Sequence, residues 1–307
     1  MKILIFGGFG FIGSRLCFFL KKKHKVFQAS RRNGFNIFNL RKTIKVINEI
    51  KPNIIINSAV FHGGLQFINS NPATTFSKNS KIYFNIYEAI SKSKFKPLIY
   101  NLISNCAYPH KASLQKEWEW LDGEAHDSVQ PFAVSKRISY YLSDFYLKEF
   151  GIKTKNIILP NAYGPGDHLD PKRTHALNGI IIRFIKSLKK KEKTFEIWGS
   201  GKPKREWIYV DDIAKLIALE VDKNKIPTGL PLNFAQNKSY SILEIANKVK
   251  KILKSNIILK NDKSKIDGAL LKQLDNKKFK KYFSNYKFFQ INKGILETIK
   301  FYKKKIK

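Results

Sequence analysis

Gly7, Gly10 and Gly13 are spaced three apart in Gly7-Gly8-Phe9-Gly10-Phe11-Ile12-Gly13, directly after the apolar run Ile3–Phe6 and before a second apolar stretch, Leu16–Leu20. A strand, a glycine turn and a helix start in that order make a cradle for a diphosphate. Glycines permit the tight turn and the close approach of backbone to phosphate, and the helix N-terminus offers free N–H groups at its positive dipole end. The glycine spacing alone is common; the flanking strand and helix give it meaning. A dinucleotide held there presents its adenosine ribose to the end of the second strand, where an acid suits NAD and arginine suits a 2′-phosphate. That position reads Ser30-Arg31-Arg32-Asn33, with no acid. Guanidiniums grip phosphate as bidentate forks, so Arg31 and Arg32 point to NADP. Farther on, the run Leu98–Ile103 ends in Ser104, placing a hydroxyl at a strand's C-terminal end, where open α/β sheets bind their ligands.

These groups need a scaffold, and the chain repeats one pattern. Strand-like runs fall at Lys25–Ala29, Asn53–Asn57, Leu98–Ile103 and Thr154–Leu159, separated by Leu40–Ile50, Phe76–Ser93 and Val134–Phe150, whose apolar residues recur at helical spacing. The alternation predicts an α/β fold, a Rossmann-type doubly wound parallel sheet with helices on both faces. After Gly164-Pro165-Gly166 the regularity lapses into a polar loop, Asp167–Thr174, then a helix near Ile180–Leu188, a strand-like Phe195–Trp198 and a turn, Gly199–Pro203. Asp211–Glu220 reads as a further helix on the main sheet, and Ser241–Leu253 opens a mixed, lysine-rich last region. A dinucleotide-binding domain over residues 1–163 and 205–236 is therefore expected, with a smaller mixed α/β substrate domain over 164–204 and 237–307.

Composition narrows the function classes. The chain has 307 residues and a formal net charge of +35, from 58 Lys and Arg against 23 Asp and Glu. The lysines are spread along it (Lys21–Lys23, Lys189–Lys191, Lys248–Lys254, Lys277–Lys281, Lys303–Lys305) rather than gathered, and helix-face lysines are usually solvated. With no zinc knuckle, RNA-binding strand motif or basic zipper, specific nucleic-acid binding is not expected; the charge favours anionic ligands. No run approaches the roughly 18 apolar residues of a membrane span, and the first segment is a strand rather than a signal peptide. Two cysteines, Cys17 and Cys106, build neither a disulfide framework nor a metal site, so a cytoplasmic protein without a metal is expected.

Further motifs run from Ile3 to about Tyr302: Asn57-Ser58-Ala59 with Gly63-Gly64, Ser104–Pro109, Pro131–Lys136, Asn161–Pro165, Asp167–His175, Trp198–Gly201, Lys204–Trp207, Val210–Ala214, Asp267-Gly268 and Lys272–Asp275. Together they resemble the extended short-chain dehydrogenase/reductases (the NAD-dependent epimerase/dehydratase family), and within these the GDP-L-fucose synthase group of GDP-4-keto-6-deoxymannose epimerase/reductases. The resemblance implies NADP(H), in preference to NAD(H), on Gly7, Gly10, Phe11, Ile12, Gly13, Arg31 and Arg32, with Lys136 at the nicotinamide ribose. It implies a GDP-linked or other nucleotide-linked keto sugar, made for surface polysaccharide, contacted by Ser104, Asn161, Arg183, Trp198, Arg205 and Lys272. Cys106 and His175 match the base and acid that epimerise carbons beside the ketone, and a homodimer is implied through helices such as Phe76–Ser93 and Val134–Phe150.

One position departs from the family pattern. Its catalytic pair is Tyr-x-x-x-Lys, the tyrosine giving a proton to the carbonyl oxygen; here the pair is Phe132 with Lys136. Phenylalanine keeps the ring and loses the donor, which is worth about 10²–10⁴ in rate. Tyr140 and Tyr141 lie too far along the helix to replace it. Three functions stand open: a reductase, with or without epimerisation, whose proton comes from Ser104, Lys136 or water; an epimerase without reduction; and an NADP-binding regulatory subunit. Phenylalanine is also the change a designed substrate trap would carry. The joint survival of Ser104, Cys106, Lys136 and His175 favours an enzyme. Whether the sugar is a hexose or a heptose stays open.

Overall fold

The computed structural model describes residues 1–111, 114–170, 173–265 and 267–306. Its first part alternates strand and helix: β1 (Lys2–Phe6), α1 (Phe11–Leu20), β2 (Lys25–Ala29), α2 (Leu40–Ile50), β3 (Ile54–Asn57), α3 (Leu65–Ser70), α4 (Pro72–Ser91), β4 (Leu98–Ser104), α5 (Gln130–Phe150) and β5 (Thr154–Leu159). The remainder comprises β6 (Asn161–Tyr163), α6 (Ala176–Lys189), β7 (Thr194–Trp198), β8 (Lys204–Tyr209), α7 (Val210–Lys223), β9 (Leu232–Asn233), β10 (Ser239–Ser241), α8 (Ile242–Ile252), β11 (Ile258–Asp262), β12 (Leu271–Lys272), α9 (Lys277–Tyr282) and α10 (Ile291–Lys305).

A six-stranded parallel sheet in the order β2-β1-β3-β4-β5-β9 is the frame of the molecule. β1 and β3 are near-continuous apolar runs because both faces of the sheet are covered. In β1 the side chains alternate: Ile3 and Ile5 join a core with Leu16 of α1 and Ile213 of α7, whereas Leu4 and Phe6 join one with Ile47 of α2 and Ile86 of α4. Strand order reverses at β1 and β3, so the crevice for a ligand opens beyond their carboxyl ends. The glycine turn follows β1 and the Asn57–Gly64 segment follows β3, so both flank that crevice. A second group of strands, β10-β8-β12 with β6 also on β8, and the pair β11-β7, packs with α6, α8 and α10 around Trp207, Phe184 and Tyr302. Among the described residues no helix is long and apolar enough to cross a membrane.

Several helices begin earlier than their apolar periodicity predicts. α5 starts at Gln130 instead of Val134 and α4 at Pro72 instead of Phe76, each with proline in its first turn. There the missing N–H costs nothing and the fixed φ suits the helix. α6 starts at Ala176, ahead of Ile180. β8 is also a strand that alternation hides, since Lys204, Arg205 and Glu206 open it and yet its last four residues are buried.

Glu206 ties that strand to the loop between β9 and β10 and to the segment after β12. It is fully buried, and its Oε1 accepts from the N–H groups of Gln236 (2.7 Å) and Asn237 (3.1 Å) while Oε2 accepts from Leu274 (2.9 Å). Burial, only partly offset by those bonds, pushes its carboxyl up to about 7. The folded chain therefore holds this proton more tightly than the unfolded one. Glu206 contributes stability that is complete below the unfolded pKa and is lost as pH rises through about 7, roughly 3 kcal/mol in all. Glu206→Gln is expected to remove this slope, so melting curves of the two proteins should converge or cross as pH rises from 5 to 8; parallel curves would refute the assignment.

Candidate active site

The first loop fits a diphosphate by its sterics. Gly7 has φ +78°, and a Cβ there would lie 2.8 Å from the Ala59 backbone; a Cβ on Gly13 would lie 2.2 Å from the Gly7 carbonyl oxygen. The turn is closed by Gly10 N–H donating to Gly7 O at 2.8 Å. Gly10 offers α1 no side-chain cap, so Phe11 and Ile12 begin a helix whose first N–H groups and positive dipole end are available to an anion. At the end of β2, Ser30 and Asn33 cap each other across the turn Arg31–Asn33, with Arg32 N–H donating to Ser30 Oγ at 3.2 Å and Ser30 N–H to Asn33 Oδ1 at 2.9 Å. This presents Arg31 and Arg32 to solvent beside the crevice.

At the end of β4, Ser104 Oγ accepts from the Cys106 N–H at 3.3 Å, turning the chain out of the strand. Cys106 packs with Phe132, Ile68 and Ala133 in one buried cluster. The early start of α5 puts Phe132 and Lys136 one turn apart inside one helix, with Lys136 Nζ 4.9 Å from the Phe132 ring centre. Lys136 Nζ donates at 3.1 Å to the hydroxyl of Tyr83 on α4, a phenol the sequence analysis did not single out. Burial pushes Lys136 down to about 8, opposed by the charge of Cys106. Tyr140 and Tyr141 are indeed elsewhere: Tyr140 stacks edge-on to Trp120, and Tyr141 is exposed.

His175 stands before α6, fixed by Asp167. One carboxylate oxygen, Oδ2, accepts from the His175 N–H (2.9 Å) and from Asn178 Nδ2 (3.1 Å), and pairs with His175 Nδ1 (2.9 Å). Burial alone would raise Asp167, but the His175 charge and these hydrogen bonds win and hold it well below the usual carboxylate range. His62, between β3 and α3, stacks on His175 with centroids 4.6 Å apart and planes at 22°, and meets the Phe132 ring at 5.6 Å. Phe11 touches the His175 ring at 5.3 Å. A row of rings (Phe11, His175, His62, Phe132) thus joins the glycine turn to α5. Sequence reasoning missed His62; the available signal was its place directly before Gly63-Gly64. Burial pushes its imidazole down to about 3, aided by the charges of His175, Lys136 and His168 and opposed by that of Asp167, so it is neutral.

Cations gather on the other strands. Lys272 of β12 and Arg205 of β8 are register partners. Arg205 Nη1 donates to the carbonyls of Ala269 (2.5 Å) and Lys204 (2.8 Å), which fixes its guanidinium. Burial, with Arg205 adding to it, pushes Lys272 down to about 8. Arg183 lies 4.2 Å over the half-exposed Trp198 ring and donates to Glu196 O at 2.8 Å. The turn after Trp198 is locked by Asp267, which accepts from the Ser200 N–H (3.0 Å) and Oγ (2.5 Å). Asn161 gives its amide nitrogen to Glu206 O at 3.1 Å.

With this geometry in place, residues 3–233 match the model of the NAD dependent epimerase/dehydratase family. The chain belongs to that family. As an epimerase/dehydratase family member it carries a site for a nicotinamide cofactor, and the glycine cradle fits one. Among relatives, the GDP-L-colitose synthase of Yersinia pseudotuberculosis is 27% identical over 305 residues, covering 98% of each chain. Among solved structures, a GDP-6-OMe-4-keto-L-xylo-heptose reductase from C. jejuni superposes with a TM-score of 0.87 at 22% identity, over 99% of this chain and 98% of that one. A GDP-L-fucose synthetase from Naegleria fowleri bound to NADP gives 0.86 at 22% identity, over 99% and 94%.

Proposed function

We propose that this protein is an NADP-dependent reductase of a GDP-linked 4-keto sugar, able to epimerise beside the ketone. What supports the reading is the row of rings Phe11, His175, His62 and Phe132, which runs from the glycine cradle to Lys136 of α5, with His175 paired to Asp167. The cradle and α1 hold the diphosphate of the cofactor, Arg31 and Arg32 meet its 2′-phosphate, and Lys136 holds the nicotinamide ribose. When bound, the nicotinamide supplies hydride to the ketone carbon. Ser104 orients the ketone by a hydrogen bond. Cys106 and His175 move the protons of epimerisation, with Asp167 fixing the imidazole. Arg205 and Lys272 meet the sugar's diphosphate, Arg183 and Trp198 its nucleoside end, and Asn161 lines the passage between them. In this reading residues 1–163 with 205–236 bind the dinucleotide, and residues 164–204 with 237–307 bind the nucleotide sugar. The protein works in the cytoplasm as a homodimer, and Phe84 of α4 with Tyr141 and Phe145 of α5, all exposed, form the face for the second copy.

The test supplies GDP-4-keto-6-deoxymannose and NADPH in deuterium oxide. Cofactor oxidation supports the reductase; deuterium at carbons 3 and 5 without oxidation selects the epimerase; neither leaves only a regulatory subunit. A pH profile adds a second check. Lys136 and Lys272 are each pushed down to about 8, and both are needed charged, so kcat/KM is expected to fall above pH 8 more steeply than one proton allows. Lys272→Arg should leave a single-proton fall. A profile flat to pH 10 would refute both roles.

A further inference from the structure

We propose that His62 is the general acid of this site, giving the ketone oxygen the proton that Phe132 cannot. This rests on the reductase reading above. The geometry singles His62 out. Its ring lies against Phe132, the position where the family keeps a phenol, and stacks on His175, so it sits between the two groups that would flank the sugar. It follows β3, at the carboxyl edge where the sheet reverses order, and it is half-buried, so a ligand can reach it. The phenol beside Lys136 is a poorer donor: Tyr83 is 1% exposed and its hydroxyl already meets Lys136 Nζ.

Burial, with the charges of His175 and Lys136 outweighing that of Asp167, keeps the imidazole neutral, leaving one ring N–H to donate. A neutral imidazole that polarises a carbonyl is an established device. The step balances: the ketone carbon gains hydride with its electron pair, the C=O π bond breaks onto oxygen, and that oxygen takes the proton of the His62 N–H. Solvent returns a proton to the ring. Lys136, close enough to act on His62 electrostatically, favours negative charge developing there.

The experiment compares wild type, His62→Ala, Phe132→Tyr and the double variant, each saturated with NADPH, in single-turnover reduction of a GDP-4-keto sugar. His62→Ala is expected to slow wild type by about 10² or more. In the Phe132→Tyr background the same change should cost only a few-fold, because the phenol takes over. A second readout is independent of turnover: binding of the GDP-linked product sugar should shift the ring ¹⁵N resonances of His62. Retained NADPH affinity and melting temperature show that each variant folds, and His62→Asn serves if alanine does not. Equal losses in both backgrounds mean a structural role and overturn the proposal. So does an unaffected His62→Ala, including the case where Tyr83→Phe abolishes reduction instead. If Phe132→Tyr reduces the sugar while His62→Ala matches wild type, only this inference fails. If no variant oxidises NADPH, the reductase reading fails and takes His62 with it.

Discussion

Gly13→Ala is expected to cost about 10–10² in dinucleotide affinity and to lower the melting temperature. The new Cβ would lie 2.2 Å from the Gly7 carbonyl oxygen, 2.8 Å from its carbon and 2.9 Å from Gly8 Cα. All three are backbone atoms, so no side chain can swing aside. α1 must move away from the turn by about an ångström, and overpacking of this kind costs about 1–3 kcal/mol even where side chains can adjust. The same shift carries the first N–H groups of α1 off the diphosphate, which ties the loss of stability to a loss of binding. Gly34→Ala is the control. It has φ +75° but nothing within 4 Å of a Cβ, so it should cost only the ~1–2 kcal/mol of left-handed strain and leave binding nearly intact. Fluorescence titration with NADPH and thermal melts on both variants decide it. Equal behaviour of the two would show that the α1–turn contact is not what the cofactor reads.

Much of the frame is legible in the sequence because buried parallel strands are largely apolar, although β5 also buries Thr154, Lys155 and Asn156, Lys155 paired with Glu220. β5 and α2 fall within the limits their patterns predict, Thr154–Leu159 and Leu40–Ile50. Helix starts are less legible, since Pro72 and Pro131 sit in first turns that carry no apolar stripe. β8 is hidden for another reason: Glu206 is charged by type yet fully buried, because its bonds come from Gln236, Asn237 and Leu274, remote in sequence. The glycine turn, Ser104 and the Phe132–Lys136 pair lie in contiguous motifs and can be read directly. Tyr83 and His62 are harder to read, because their meaning lies in contacts made across the fold, to Lys136 from another helix and to His175 from more than a hundred residues away, and only the place of His62 before Gly63-Gly64 marks it in sequence.

Asp167→Asn should slow proton exchange beside the ketone by about 10²–10⁴ while NADPH affinity changes little. The carboxylate is buried, and its Oδ2 receives both the backbone N–H and the Nδ1 side of His175, each at 2.9 Å. Such a partner fixes the ring and its tautomer, placing the proton on Nδ1 and leaving Nε2 to face the sugar. A carboxamide keeps the shape and can still accept from the backbone, so α6 should start where it does now. It cannot offset positive charge on His175, and a flipped amide would donate toward Nδ1 and reverse the tautomer. The measurement is deuterium incorporation at carbons 3 and 5 beside NADPH oxidation in the same sample. A variant that exchanges at the wild-type rate would mean that His175 is not held by Asp167 for proton transfer. Equal losses in exchange and in NADPH affinity would mean that Asp167 supports only the fold of the loop before α6.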